Sequence, residues 1–224
     1  MKVFTPDEAI DIATRLETKA VCQPNERIKA KLLAKARAVA ESALAQNQNH
    51  SNLHHVLGLC WYAERIWTDE AKEQMERHFS AAARLDATNQ FATLFLGHFY
   101  FDEARYNEAL KLFLQIDDAY FEKLDQKYRV LKNHELIVCC HLYLNADDVT
   151  FEEIDNLCKE YESTESSDVP VPQEIVACLA KLVGESKDLK RAAERVKLML
   201  KRTDFECAKS IAEALETINA HLAA

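Results

Sequence analysis

The sequence predicts an all-α protein, and three observations carry that prediction. Gly and Pro together number only seven in 224 residues, so few positions interrupt a helix. Apolar residues recur at three- and four-residue spacing along most of the chain, the period of a helix with one buried face. The alternation of β-branched and polar residues that marks a half-buried strand is absent.

The first element opens on Thr5-Pro6-Asp7-Glu8. Thr5 suits the cap, Pro6 the first helical position, and Glu8 completes a capping box. The helix is expected from Pro6 to about Ala20, burying Ala9, Ile12, Ala13 and Leu16. Pro24-Asn25 interrupts it. A second helix from Glu26 to about Gln46 carries Ile28, Leu32, Leu33, Ala36, Val39, Ala40 and Ala43, and ends in the polar run QNQNHS.

The next two helix pairs share a motif. Leu57, Gly58 and Trp61 repeat the spacing of Leu96, Gly97 and Tyr100, and each triplet precedes a second helix. Phe79 and Ala82 lie on one of these second helices, Ala109 and Phe113 on the other. Leu96 and Tyr100 are four apart and share a helix face, as do Ala109 and Phe113. A Gly in mid-helix costs roughly 1 kcal/mol against Ala, so Gly97 implies a close helix approach, with Ala109 as its small counterpart. The two glycines are 39 residues apart. The excess over a repeat of about 34 residues falls in AERIWTDEAKEQM, where Trp67 sits at a turn and Thr68 or Asp69 can cap the following helix.

This pattern resembles the tetratricopeptide repeat, in which W-x2-L-G-x2-Y is followed by A-x3-F and a Pro. Thr93 stands where that Trp belongs, and no Pro lies near Phe121. The resemblance is clearest over residues 51–116, with repeats at 51–89 and 90–123. It implies a right-handed α-solenoid of antiparallel helix pairs, of about eleven helices in this chain. It also implies a concave groove lined by first helices. In phase with Gly58 the groove positions are Asn52, His55, Leu59, Tyr62 and Ala63; in phase with Gly97 they are Phe91, Leu94, His98, Phe101 and Asp102. The family's carboxylate clamp needs Lys and Asn where this chain has His55, Leu59, Phe91 and Phe95, so an acidic C-terminus is not the expected ligand. An apolar, aromatic groove with two imidazoles suits an amphipathic helix or hydrophobic peptide of another protein.

Beyond Ile116 the signature fades while the helical pattern continues. A helix from Ala119 to about Leu144 is expected after Asp117-Asp118. A second, Phe151 to Tyr161, follows Thr150 with Glu153 completing a capping box. The run ESTESSD and Val169-Pro170-Val171-Pro172 suggest an internal boundary. The expected division is a repeat domain over 1–165 and a C-terminal extension over 166–224 that caps the stack. Its helices should cover Gln173 to Val183, Leu189 to Arg202 and Phe205 to about His221.

Charge and composition exclude several functions. The net charge is −9, a field that repels phosphate and argues against nucleic acid. Residues 145–174 hold ten acidic side chains and one basic, whereas 187–209 hold eight basic and four acidic. The seven Cys form no CxxC pair and are odd in number, as expected of reduced thiols in a cytoplasmic protein. The N-terminus lacks a signal-peptide core, and no stretch is long enough for membrane insertion. Phosphate loops, GxSxG, HExxH and EF-hand patterns are absent, so no cofactor and no metal site are expected. His134 and His141, beside Cys139-Cys140, are too far apart in sequence for direct chelation at helical spacing. The expectation is therefore a non-catalytic scaffold or adaptor, possible also as a homodimer. The alternatives are a bacterial secretion-type chaperone with tandem repeats, and an enzyme built on a Cys/His site.

Overall fold

A computed structural model describes residues 4–64, 66–145, 150–164, 169, 171–182, 187–202 and 208–222. The described residues are all-helical, and twelve helices pack in adjacent pairs, the arrangement of a helical-repeat solenoid. The chain divides into two compact units, residues 1–103 and 104–224. The division falls between the two helices of residues 90–116. The Pro-containing stretch around 170, marked as a boundary by composition, lies inside the second unit, and residues 165–168 and Pro170 are outside the described residues.

The first unit holds α1 (Pro6–Val21), α2 (Glu26–Leu44), α3 (Ser51–Tyr62), α4 (Asp69–Leu85) and α5 (Gln90–Asp102). Each packs on its successor, and α3 also meets α1 and α5, so α1, α3 and α5 form one layer and α2 and α4 the other. The anticipated capping box closes α1: the Glu8 amide donates to Thr5 Oγ1 at 3.3 Å, and the Thr5 amide donates to Glu8 Oε2 at 2.9 Å. Thr68 caps α4 by accepting from the Ala71 amide. Small residues let α1, α2 and α3 approach closely: Ala9, Ala13, Ala36, Ala40 and Ala43 are fully buried around Leu53, Val56, Leu57 and Cys60. Ile28, expected on the buried face, is instead 45% exposed, because the core contacts of α2 begin at Leu33. Across the α2–α3 contact the Arg37 guanidinium lies 4.0 Å above the Trp61 ring and pairs with Glu64.

The second unit holds α6 (Tyr106–Phe113), α7 (Asp118–Lys123), α8 (Lys127–Asn145), α9 (Phe151–Ser163), α10 (Gln173–Leu182), α11 (Lys187–Arg202) and α12 (Ala208–Leu222). The single helix expected over 119–144 is two. The break falls at Leu124–Gln126, where Asp125 adopts a left-handed φ of 56°. Asp tolerates that conformation better than most residues, and the Gln126 amide turns back to the Phe121 carbonyl. This extra break makes the helix count twelve rather than eleven. α8 is central: it packs on α6, α7, α9 and α10, while α11 covers α9 and α10 and α12 closes on both α10 and α11. Thr150 and Glu153 form the expected second capping box at the start of α9. The start of the last helix at Phe205, and Cys207, lie outside the described residues.

Candidate functional site

The aromatic side chains of the first unit gather where α3 lies beside α5. His55, Leu59 and Tyr62 are spaced four and three apart and form one stripe of α3. Phe91, Phe95, His98 and Asp102, spaced four, three and four, form the matching stripe of α5. Phe95 joins them. Its ring centroid lies 5.7 Å from His55, 5.8 Å from Tyr62, 5.8 Å from His98 and 6.0 Å from Phe79, on which it stacks. His55 also lies 6.3 Å from Phe91. These offset and edge-on contacts are the preferred aromatic geometries and fix ring positions without closing the surface over them. The rings of His55, Tyr62, Phe91, Phe95 and His98 are half-buried, and Phe79 lies fully buried behind them.

One polar bond ties the two stripes. Tyr62 donates to Asp102 Oδ2 at 2.8 Å, and burial together with that carboxylate pushes the phenol pKa up, so the donor stays protonated. Beneath it Trp67 rests 5.0 Å from the Tyr62 ring and donates from Nε1 to the Tyr62 carbonyl. The extra residues between α3 and α4 thus return a Trp to the end of this face.

Of the positions implied by the repeat register, the structure brings His55, Tyr62, Phe91, His98 and Asp102 into one cluster. Leu59 lies on the same α3 stripe, and Phe101 is half-buried one residue before Asp102. Asn52 is exposed at the start of α3 and accepts from the Asn89 side chain at 3.1 Å. Ala63 is the C-terminal cap of α3. Leu94 does not belong: it is 2% exposed and part of the core, and Phe95 takes the corresponding place on the face. The stripe spacing 91-95-98-102 was available as a signal; the repeat register, one residue out at this point, concealed it. The repeat-signature residues Leu57, Gly58, Phe79, Ala82, Leu96, Gly97, Ala109 and Phe113 are buried, and Trp61 and Tyr100 half-buried. Tyr100 donates to Glu76 of α4 at 3.0 Å.

The second unit carries a separate polar cluster. His134 of α8 is held between Glu160 of α9, 2.7 Å from Nδ1, and Asp118 of α7, 2.9 Å from Nε2. Both ring nitrogens face carboxylates, so the protonated ring is favoured. Its pKa is raised to about 9, first by the Glu160 hydrogen bond and then by the charges of Glu160 and Asp118. The imidazolium joins three helices and lines a cleft of about 420 Å³. Because the folded pKa lies above the unfolded one, this tie is complete below about pH 6.5 and is lost as pH rises through 9. His134→Gln should lower stability by on the order of 1–2 kcal/mol at pH 6, after allowance for partial solvent screening. The difference from wild type should shrink towards zero by pH 10 in paired thermal melts. A difference constant with pH would show that the ring acts by packing alone.

Four of the described thiols are not poised as nucleophiles. Burial pushes the thiol pKa of Cys60, Cys140 and Cys158 up to about 12, and Cys139 is held well above its ordinary value. Among the described residues no group of three or more His, Cys, Asp or Glu side chains could hold a metal ion, and no helix is long and apolar enough to cross a membrane. No family model matches the chain, and no curated protein matches it in sequence.

Proposed function

We propose that this chain is a non-catalytic protein-interaction scaffold of the tetratricopeptide type, acting in the cytoplasm. The α3–α5 face of its first unit takes an amphipathic helix or hydrophobic peptide from another protein. The observation that supports this reading is the pair of matched stripes, His55-Leu59-Tyr62 and Phe91-Phe95-His98-Asp102, tied by the Tyr62–Asp102 hydrogen bond. Rigid half-buried rings give contact area at low entropic cost, and Asp102 supplies one charge at the rim. A ligand with apolar anchors at i, i+3 or i+4, and i+7, and a basic residue beyond them, matches this face.

The test uses purified components. Helical peptides selected by display against the full chain should carry that anchor pattern. Phe91→Ala with Phe101→Ala should weaken their binding by about tenfold or more, equivalent to about 1.4 kcal/mol, while the circular dichroism spectrum stays helical. Undiminished binding by the double variant would remove the face from the proposal. The same scaffold serves equally for a chaperone that shields an apolar segment of its client.

A further inference from the structure

A second pair of histidines in the first unit is used neither by the aromatic face nor by the capping interactions. His54 of α3 and His78 of α4 are 9% and 4% exposed, and their Nδ1 atoms lie 2.9 Å apart. His54 Nε2 lies 3.2 Å from the Gln48 carbonyl, in the loop between α2 and α3. A carbonyl can only accept, so His54 carries its proton on Nε2 and presents a lone pair at Nδ1. His78 Nδ1–H therefore donates to it, and the His78 lone pair falls on Nε2. The result is a directed chain, His78 to His54 to Gln48, joining α4 to α3 and to the preceding loop. The pair lines a cleft of about 600 Å³ together with Glu41, Leu44, Ala45, Gln48, Gln74 and Arg77.

We infer that this pair is an acid-sensitive latch: taking up protons breaks the α3–α4 link and opens the cleft beside it. The chemistry follows from counting protons. A first proton, whichever ring takes it, leaves one N–H···N bond between the two Nδ1 atoms, because only one of them then has to carry hydrogen. A second proton has only the other facing Nδ1 to occupy. It would set two N–H groups head to head at 2.9 Å on two positively charged rings, so the bond must open. The surroundings disfavour charge at both sites. Arg77 and Arg84 of α4 face the pair with one carboxylate, Glu41 of α2, against them; Gln48, Asn49 and Gln74 are neutral. Among the described residues none from α1 or α5 lines the cleft.

Burial holds both rings below their ordinary range, His78 at about 4, lowered further by His54 and Arg77. The unfolded chain takes up these protons near pH 6.5 and the folded one does not. The stabilisation is thus complete above pH 6.5 and is lost as pH falls towards 4. This sign is opposite to that of the His134 tie in the second unit.

The inference is independent of the ligand proposed for the aromatic face. Its test is a nitrogen-15 histidine spectrum of the full chain, followed through pH, with amide exchange of α3 and α4. At pH 7.5 His54 should show the Nε2–H tautomer and His78 the less common Nδ1–H tautomer. Both should protonate below pH 6.5, His78 only towards about 4. Opening of α3 and α4, corrected for intrinsic exchange, should rise at least about tenfold between pH 7 and 4.5, about one pKa unit in linkage. In His78→Phe and in His54→Gln this rise should flatten. Nε2–H tautomers on both rings, titration of either near 6.5, or an equal acid response in the variants would each overturn the latch. The wild-type titration decides the matter even if neither variant folds.

Discussion

Replacing Glu135 by Ala is expected to cost the second unit about 2–5 kcal/mol, the scale for stranding two buried hydrogen-bond donors. Glu135 lies on α8 and is 0% exposed. Its Oε1 accepts from the Ile175 amide at 2.9 Å, and Oε2 accepts from the Tyr161 hydroxyl at 3.2 Å and from Lys132 Nζ at 3.1 Å. Ile175 is in the first turn of α10, where an amide has no partner within its own helix. A carboxylate from α8 therefore caps α10 from outside and holds the phenol of α9 in the same stroke. Ala would leave the Ile175 amide and the fully buried Tyr161 hydroxyl unsatisfied, each at roughly 1–3 kcal/mol. Lys132 keeps a second partner in Glu174. Glu135→Gln preserves one acceptor and the shape, so about half the loss is expected. Denaturant midpoints of the two variants check this order, Ala below Gln below wild type. If Glu135→Ala falls within about 1 kcal/mol of wild type, the trans-capping role is wrong.

Nothing local announces Glu135. Lys132 is a local partner of the ordinary surface kind, but the two buried donors lie 26 and 40 residues away, so the buried role exists only after α8, α9 and α10 meet. The helix starts were legible because their chemistry is local. Thr5 with Glu8, Thr150 with Glu153 and Thr68 each act within three residues. The break near Asp125 was not, since no Gly or Pro marks a left-handed φ that Asp can also adopt. The candidate face lies between these cases. Its α3 half lies where the repeat register in phase with Gly58 implies. Its α5 half was displaced by one residue at Leu94, because a repeat register transfers phase from one helix to the next without regard to local rotation. The neighbour of a signature glycine was not legible for a related reason: that Phe79 faces Gly58 depends on packing from another helix.

That side chain makes Gly58 the sharpest packing test in the molecule. The close approach expected at a signature glycine is seen at Gly58, in the earlier of the two motifs. A Cβ added there would lie 2.5 Å from Phe79 Cε1, 2.6 Å from Cδ1 and 2.9 Å from Cζ. Phe79 cannot step aside cheaply. It is fully buried, its ring stacks on Phe95 at 6.0 Å, and it meets Tyr62 edge-on at 6.4 Å. In an exposed helix Gly→Ala gains about 1 kcal/mol. Here the clash costs roughly 1–3 kcal/mol, so Gly58→Ala should be neutral to destabilising. Gly58→Val adds a second branch against the same ring and should cost about 3 kcal/mol or more. The clash hypothesis makes a sharper demand than destabilisation. Phe79→Leu removes the ring edge, so Gly58→Ala combined with Phe79→Leu should lose less than the sum of the two single losses, by roughly 0.5–3 kcal/mol of coupling. Strict additivity, or an unchanged melting midpoint for Gly58→Val, would mean that the ring does not confine position 58. A positive coupling would establish that the Gly58–Phe79 contact between α3 and α4 is tight, under the ring on which Phe95 of the aromatic face stacks.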